Sequence, residues 1–202
     1  MATNSAYNIK HRFGIFVDIE GPALDQFHLP GKDTPGIESL GCFKTAGGLG
    51  KEIESQEWKT GCDANMRKEL GMVKYETIAL EKGIDNEGSL EAWFNMVSDN
   101  ANRSATAGKY KATRLYVLVL DRKGDLFRLF VCKDAWVQKY NAGDLDAMSS
   151  DAWVENVQIE HDGWDMYVAT FDPGTGDFIE WRTSANEPTT EPFATKSDWV
   201  MY

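Results

Sequence analysis

The chain has 202 residues, 42% of them hydrophobic and 12% aromatic, enough to bury a core in one domain; a largely disordered polymer is excluded. Its net charge of −11 is unevenly placed, with net −1 over residues 1–134 and net −10 over 135–202, which argues against nucleic-acid binding through basic side chains. Cys42, Cys62 and Cys132 are widely spaced and form no Cys-x-x-Cys pair, so reduced thiols are expected. No apolar run has the length of a signal or a membrane span, and a product made in the cytoplasm is expected.

In chain order, RFGIFVDIEG (12–21) predicts a strand with Phe13, Ile15, Val17 and Ile19 on one side, and ALDQFHL (23–29) its hairpin partner. Residues 30–50 are rich in Gly and Pro and read as a loop or loosely held edge. KEIESQEWKTG (51–61) alternates weakly, and MVKYETIALEKG (72–83) predicts one clearer strand. The only predicted helix is SLEAWFNMVSD (89–99), where Ser89 can cap and Leu90, Trp93, Phe94 and Val97 form one apolar stripe. A polar loop over 100–112 follows. TRLYVLVLDRKGDLFRLFVC (113–132) predicts a hairpin about Asp121–Asp125. AWVENVQIEH (152–161) is a further strand that turns at Asp162-Gly163 into WDMYVATFD (164–172), with GDFIEWRT (176–183) after it and an irregular end. A mainly β chain with one helix results.

Chemistry-bearing patterns are weak throughout. GGLGKE (47–52) has Thr45 where a phosphate loop needs its first Gly and Glu52 where it needs Ser or Thr. DNEGSLE (85–91) is out of register for a calcium loop and fits a turn before a helix cap better. His11, His28 and His161 are too scattered to share a metal. Asp144 and Asp146 sit two apart on one turn, whereas glycosidase carboxylates usually come from separate segments. No catalytic residue, cofactor or metal is therefore assigned. Seven tryptophans, at 58, 93, 136, 153, 164, 181 and 199, read as core or interface anchors; a carbohydrate- or ligand-binding β-sandwich is the alternative, since exposed Trp faces hold sugar rings.

Six segments, taken in order, carry a resemblance. They are Phe16, Asp18 and Ile19-Glu20-Gly21; Lys74-Tyr75 continuing to Ile78-Ala79-Leu80-Glu81-Lys82-Gly83, ahead of Trp93; the hairpin; Ala135, Trp136, Lys139 and Tyr140; Leu145-Asp146-Ala147; and the corner Glu160-His161-Asp162-Gly163. Together they resemble the tail-tube proteins of contractile bacteriophages and the inner-tube proteins of contractile injection systems. The chain departs from that pattern at Val137, where the family often has Pro, in a long loop at 100–112, and in the residues after 164.

The resemblance implies a tail-tube domain over 1–164 and a C-terminal extension over 165–202, with a possible extra hairpin and an irregular tail. It implies an Hcp-like fold, a β-sandwich or half-barrel with one flanking α-helix, and a non-enzymatic role. Six copies would close a ring, and rings would stack into a hollow tube that conducts DNA or an effector protein without sequence-specific binding. Its partners would be a sheath, baseplate or hub proteins and a tube terminator, in a phage tail or injection particle assembled in the bacterial cytoplasm. Trp136, Tyr140, Leu145, Asp146, Trp153, Trp58, Lys74 and Tyr75 are the implied interface candidates, with Trp136 and Trp153 as anchors at turns. Residues 44–71 are expected to reach a neighbouring subunit or ring, and any acidic excess facing the bore would repel phosphate.

Overall fold

A computed structural model describes residues 13–18, 38–40, 43–59, 61, 65–84, 88–102, 112–121, 125–145, 148, 152–171, 175 and 178–183. Among these residues eleven strands and one helix follow in the order β1 (Phe13–Asp18), β2 (Glu38–Ser39), β3 (Thr45–Gly47), β4 (Lys51–Trp58), β5 (Arg67–Tyr75), β6 (Ile78–Gly83), α1 (Ser89–Asn102), β7 (Ala112–Leu120), β8 (Leu126–Asn141), β9 (Val154–Glu160), β10 (Trp164–Phe171) and β11 (Phe178–Thr183). Among the described residues nine strands join in the order β2-β1-β7-β8-β9-β6-β3, with β10 beside β8 and β11 beside β10, while β4 and β5 form a separate hairpin. The paired strands are antiparallel.

The organising element is β8, sixteen residues long. One edge pairs with β7 from Leu126 to Ala135; the other pairs with β10 over Arg128–Cys132 and with β9 over Trp136–Asn141. The crossover lies at Asp134, whose φ of 51° is tolerated by a short polar side chain. Facing it is the predicted Asp162-Gly163 turn, where Gly163 has φ 133°. There the Lys133 amide donates to Gly163 O at 2.9 Å and the Asp162 amide donates to Lys133 O at 3.0 Å. β9 and β10 thus follow one edge of β8 as consecutive strands bent at a corner.

The helix covers one face of this sheet. Its stripe of Leu90, Trp93, Met96 and Val97 is buried against Ile78, Leu80, Val137, Val157 and Ile159, and the same cluster continues under Ile15, Val17, Leu115, Val117 and Cys132. Each large apolar side chain placed there contributes about 1.5–3 kcal/mol. A second cluster, Phe16, Tyr116, Leu118, Leu129, Val131 and Tyr167, lies on the opposite face of β1, β7, β8 and β10.

Several expectations change. β1 is buried on both faces, so Phe16 is core as well as Ile15 and Val17: those two join the helix-side cluster, and Phe16 packs in the second cluster with Tyr116, Leu118 and Tyr167. The proposed partner at 23–29 lies outside the described residues; the strands beside β1 among those described are β2 and β7. The single strand expected at 72–83 is two, broken at Glu76-Thr77, because β5 pairs with β4 while β6 pairs with β9 and β3. α1 runs three residues past its expected end, to Asn102. Residues 133–141 continue β8.

Candidate functional site

Three features stand out: a sheet with two open edges, an arm, and an ionic cluster beneath the helix. The first is built from β3, β6, β9 and residues 136–141 of β8. β7 begins opposite Ala135, so the edge of residues 136–141 turned away from β9 has no strand beside it among the described residues. At the other border β3 has β6 as its only strand partner among the described residues. Each strand is antiparallel to the next, so β3 is antiparallel to β8, and the two open borders are complementary in direction.

The face of this small sheet away from α1 presents two cross-strand rows of residues: Gly47, Ala79, Gln158 and Lys139, then Thr45, Glu81, Asn156 and Asn141. It is polar and largely exposed. Glu81 accepts from Lys44 Nζ at 2.8 Å and Thr45 Oγ1 at 3.2 Å, and the Lys44 hydrogen bond is the main cause holding its carboxyl below the usual range. Glu160 Oε1 accepts from Thr77 Oγ1 at 2.7 Å.

The arm is the β4–β5 hairpin. Its body contacts lie at its base, where Lys51 Nζ stands 4.6 Å from the Trp164 ring centroid and Tyr75 packs edge-on to His161 at 5.8 Å. Beyond the base both faces are exposed, including Ile53, Met66, Leu70, Met72 and Val73. β5 holds one extra residue opposite Glu54, and a Cβ on Gly71 would lie 2.8 Å from Glu54 O, so glycine permits the close approach. Lys74 pairs with Glu54, Lys68 pairs with Glu57 at 2.9 Å, and Arg67 lies 5.5 Å from the Trp58 ring centroid. A two-stranded hairpin with no covered face is at best marginal in water.

The ionic cluster was not read from the sequence. Lys82 and Glu155 are direct cross-strand partners, both almost fully buried, with Nζ and Oε1 3.6 Å apart. Lys82 Nζ also donates to Leu40 O at 3.2 Å and Ser89 Oγ at 3.4 Å, and Tyr140 OH donates to Glu155 Oε2 at 3.0 Å. The signal was present in period 2: Ile78, Leu80 and Lys82 share one face, as do Glu155, Val157 and Ile159.

Seven of the eight interface candidates separate into three places. Trp136 and Tyr140 lie on β8 along the open edge, half-buried against the helix-side core, so Trp136 is a strand residue and not a turn anchor. Trp58, Lys74 and Tyr75 lie on the arm. Leu145 and Trp153 are exposed in the β8–β9 connection, and Asp146 lies outside the described residues. Asp144 is exposed.

The profile of the T4-like virus tail tube protein gp19 family matches residues 33–165, about two thirds of the chain. The chain belongs to this family. Tail tube proteins are structural, and the fold agrees with solved relatives. A chain in the six-fold symmetrised baseplate of the anti-feeding prophage superposes with TM-score 0.63 at 17% identity, covering 80% of this tail tube protein and 96% of that chain. A chain in the extended sheath-tube complex of PVC, an extracellular contractile injection system, gives 0.59 at 18% identity over 82% and 94%. A chain in the tube-terminating cap of the anti-feeding prophage gives 0.58 at 16% identity over 84% and 96%. No curated protein matches the sequence significantly.

Proposed function

We propose that six copies of this tail tube protein close a ring by joining the open edge of β8 residues 136–141 on one copy to the open edge of β3 on the next. The observation that carries this is the pair of borders on one sheet, left without neighbours among the described residues and antiparallel to one another. Rotation about an axis along the strands brings them together in the sense that antiparallel pairing needs. Each border alone is an aggregation liability, and cyclic closure removes both. Trp136 and Tyr140 then lie at the seam, while the arm and the β8–β9 connection, with the remaining interface candidates, face neighbouring copies. Residues 165–202 decorate the ring from β10 onward.

Stacked rings form a conduit for DNA or protein cargo inside a contractile sheath, capped by baseplate and terminator proteins. The particle is a phage tail or an injection device assembled in the bacterial cytoplasm, and the tube itself has no catalytic duty. The polar face of β3, β6, β9 and β8 becomes the bore wall. Asn141, Asn156 and Gln158 stand on it beside Lys139, and its carboxylates Glu81 and Glu160 accept hydrogen bonds from Lys44, Thr45 and Thr77, so the wall is amide-rich.

Negative-stain and cryo-electron microscopy of concentrated protein tests the reading. Annular particles with six-fold averages, or fibres built from them, are expected. Protein that stays monomeric at every concentration, with and without its baseplate, would overturn it.

A further inference from the structure

β5 ends at Tyr75 and β6 begins at Ile78, so Glu76 and Thr77 are the residues about which the arm can swing. The corner after β9 grips them. His161 Nε2 lies 3.1 Å from Glu76 O, and the Gly163 amide donates to His161 Nδ1 at 3.1 Å. The Tyr75 ring packs on both His161 and Gly163. A carbonyl only accepts and an amide N–H only donates, so both hydrogen bonds coexist in one form of the ring, the neutral one with its proton on Nε2.

We propose that His161 is the positioning residue of the β4–β5 arm: its neutral Nε2–H tautomer ties the arm's root to the β9–β10 corner, and a proton added at Nδ1 unties it. That proton would point at the Gly163 N–H, donor against donor. Gly163 is buried and its carbonyl is held by the Lys133 amide at 2.9 Å, so turning its N–H elsewhere displaces the corner. When the ring leaves, the bond to Glu76 O and the edge-on contact with Tyr75 go with it. Charged and titratable groups surround the ring. Glu160 accepts from Thr77 Oγ1 at 2.7 Å, the Glu76 carboxylate stands over Gly50, Lys51 lies 4.6 Å from the Trp164 centroid, and Lys133 pairs with Asp165 at 2.6 Å. Asp162 and Tyr75 flank the corner itself. Both ring nitrogens nonetheless meet backbone groups, so the tie depends on the ring's own proton. The inference needs no second copy and is independent of ring closure.

Two measurements on the full chain below its assembly concentration test it. His11→Gln with His28→Gln leaves one imidazole, whose tautomer and protonation are read by 15N NMR. Nitroxides at Leu70→Cys on the arm and Glu91→Cys on α1, in a Cys42→Ser, Cys62→Ser background, report the arm's position by pulsed electron resonance. At about pH 8 the ring should be Nε2–H and the distance distribution narrow; at about pH 5 the distribution should be about twofold wider, with a midpoint that coincides with ring protonation. His161→Asn keeps an acceptor for the Gly163 amide but is too short to reach Glu76 O, so its arm should be wide at both pH values. An Nδ1–H ring at about pH 8, a width unchanged while the ring protonates, or a His161→Asn arm that still narrows at high pH overturns the inference. The first two outcomes use the natural ring, so they decide the matter even where His161→Asn fails to fold.

Discussion

Replacing Lys82 by Met leaves the Glu155 carboxylate enclosed, with Tyr140 OH as its remaining hydrogen-bond donor among the partners described above. Their side chains are 1% and 3% exposed, and breaking one half of such a pair costs about 3–5 kcal/mol. Glu155→Leu strands the ammonium, which keeps Leu40 O and Ser89 Oγ but loses its counter-charge, at similar cost. Lys82→Met with Glu155→Leu removes both charges among Ile78, Leu80, Val157 and Ile159 and is expected to lie near wild-type stability, giving a coupling of several kcal/mol. For a chain of this size, each single variant should melt about 6–20 °C lower. Urea and thermal unfolding followed by circular dichroism, at protein concentrations below assembly, complete the cycle. Singles costing under about 1 kcal/mol, or a double equal to their sum, would show that the two groups are neither enclosed nor interdependent.

Other outcomes follow from single groups. Burial pushes the Cys132 thiol up to about 12, so in a Cys42→Ser, Cys62→Ser background maleimide at pH 8 should label the unfolded chain and spare the native one. The Glu81 carboxyl is held low by Lys44, so its contribution to stability is present above the ordinary carboxylate pKa and is lost as pH falls through its lower folded value. Lys44→Ala should raise the Glu81 pKa toward the ordinary range in a side-chain NMR titration, and an unchanged value would dissociate the pair. Gly163→Ala forces a Cβ into φ 133° and within 3.1 Å of the Tyr75 ring, and should cost about 1–3 kcal/mol by denaturant unfolding.

Local pattern was most legible where a single face decides it. The stripe of Leu90, Trp93 and Val97 located α1, and the turn at Asp121–Asp125 located the β7–β8 hairpin. Where one strand serves two neighbours the pattern fails: the expected hairpin ends at Cys132, yet β8 continues to Asn141 with β10 and then β9 along one border. β5 was half missed because an arm exposed on both faces has no apolar alternation to read. Tyr140 and Trp136 were singled out by resemblance, but that their stretch of β8 lies beyond the last β7 pair depends on where β7 begins, which no local pattern encodes.

The uninterrupted backbone of β8 also has a mechanical meaning. At about 3.3 Å per residue, its sixteen residues span roughly 53 Å of covalent chain, stitched on one side by β7 and on the other by β9 and β10. Tension along that line falls at right angles to its cross-links, so many must slip in concert and none can be unzipped singly. A cylinder made of such staves would resist axial thrust through its backbones, and its compliance would reside in the joints between layers.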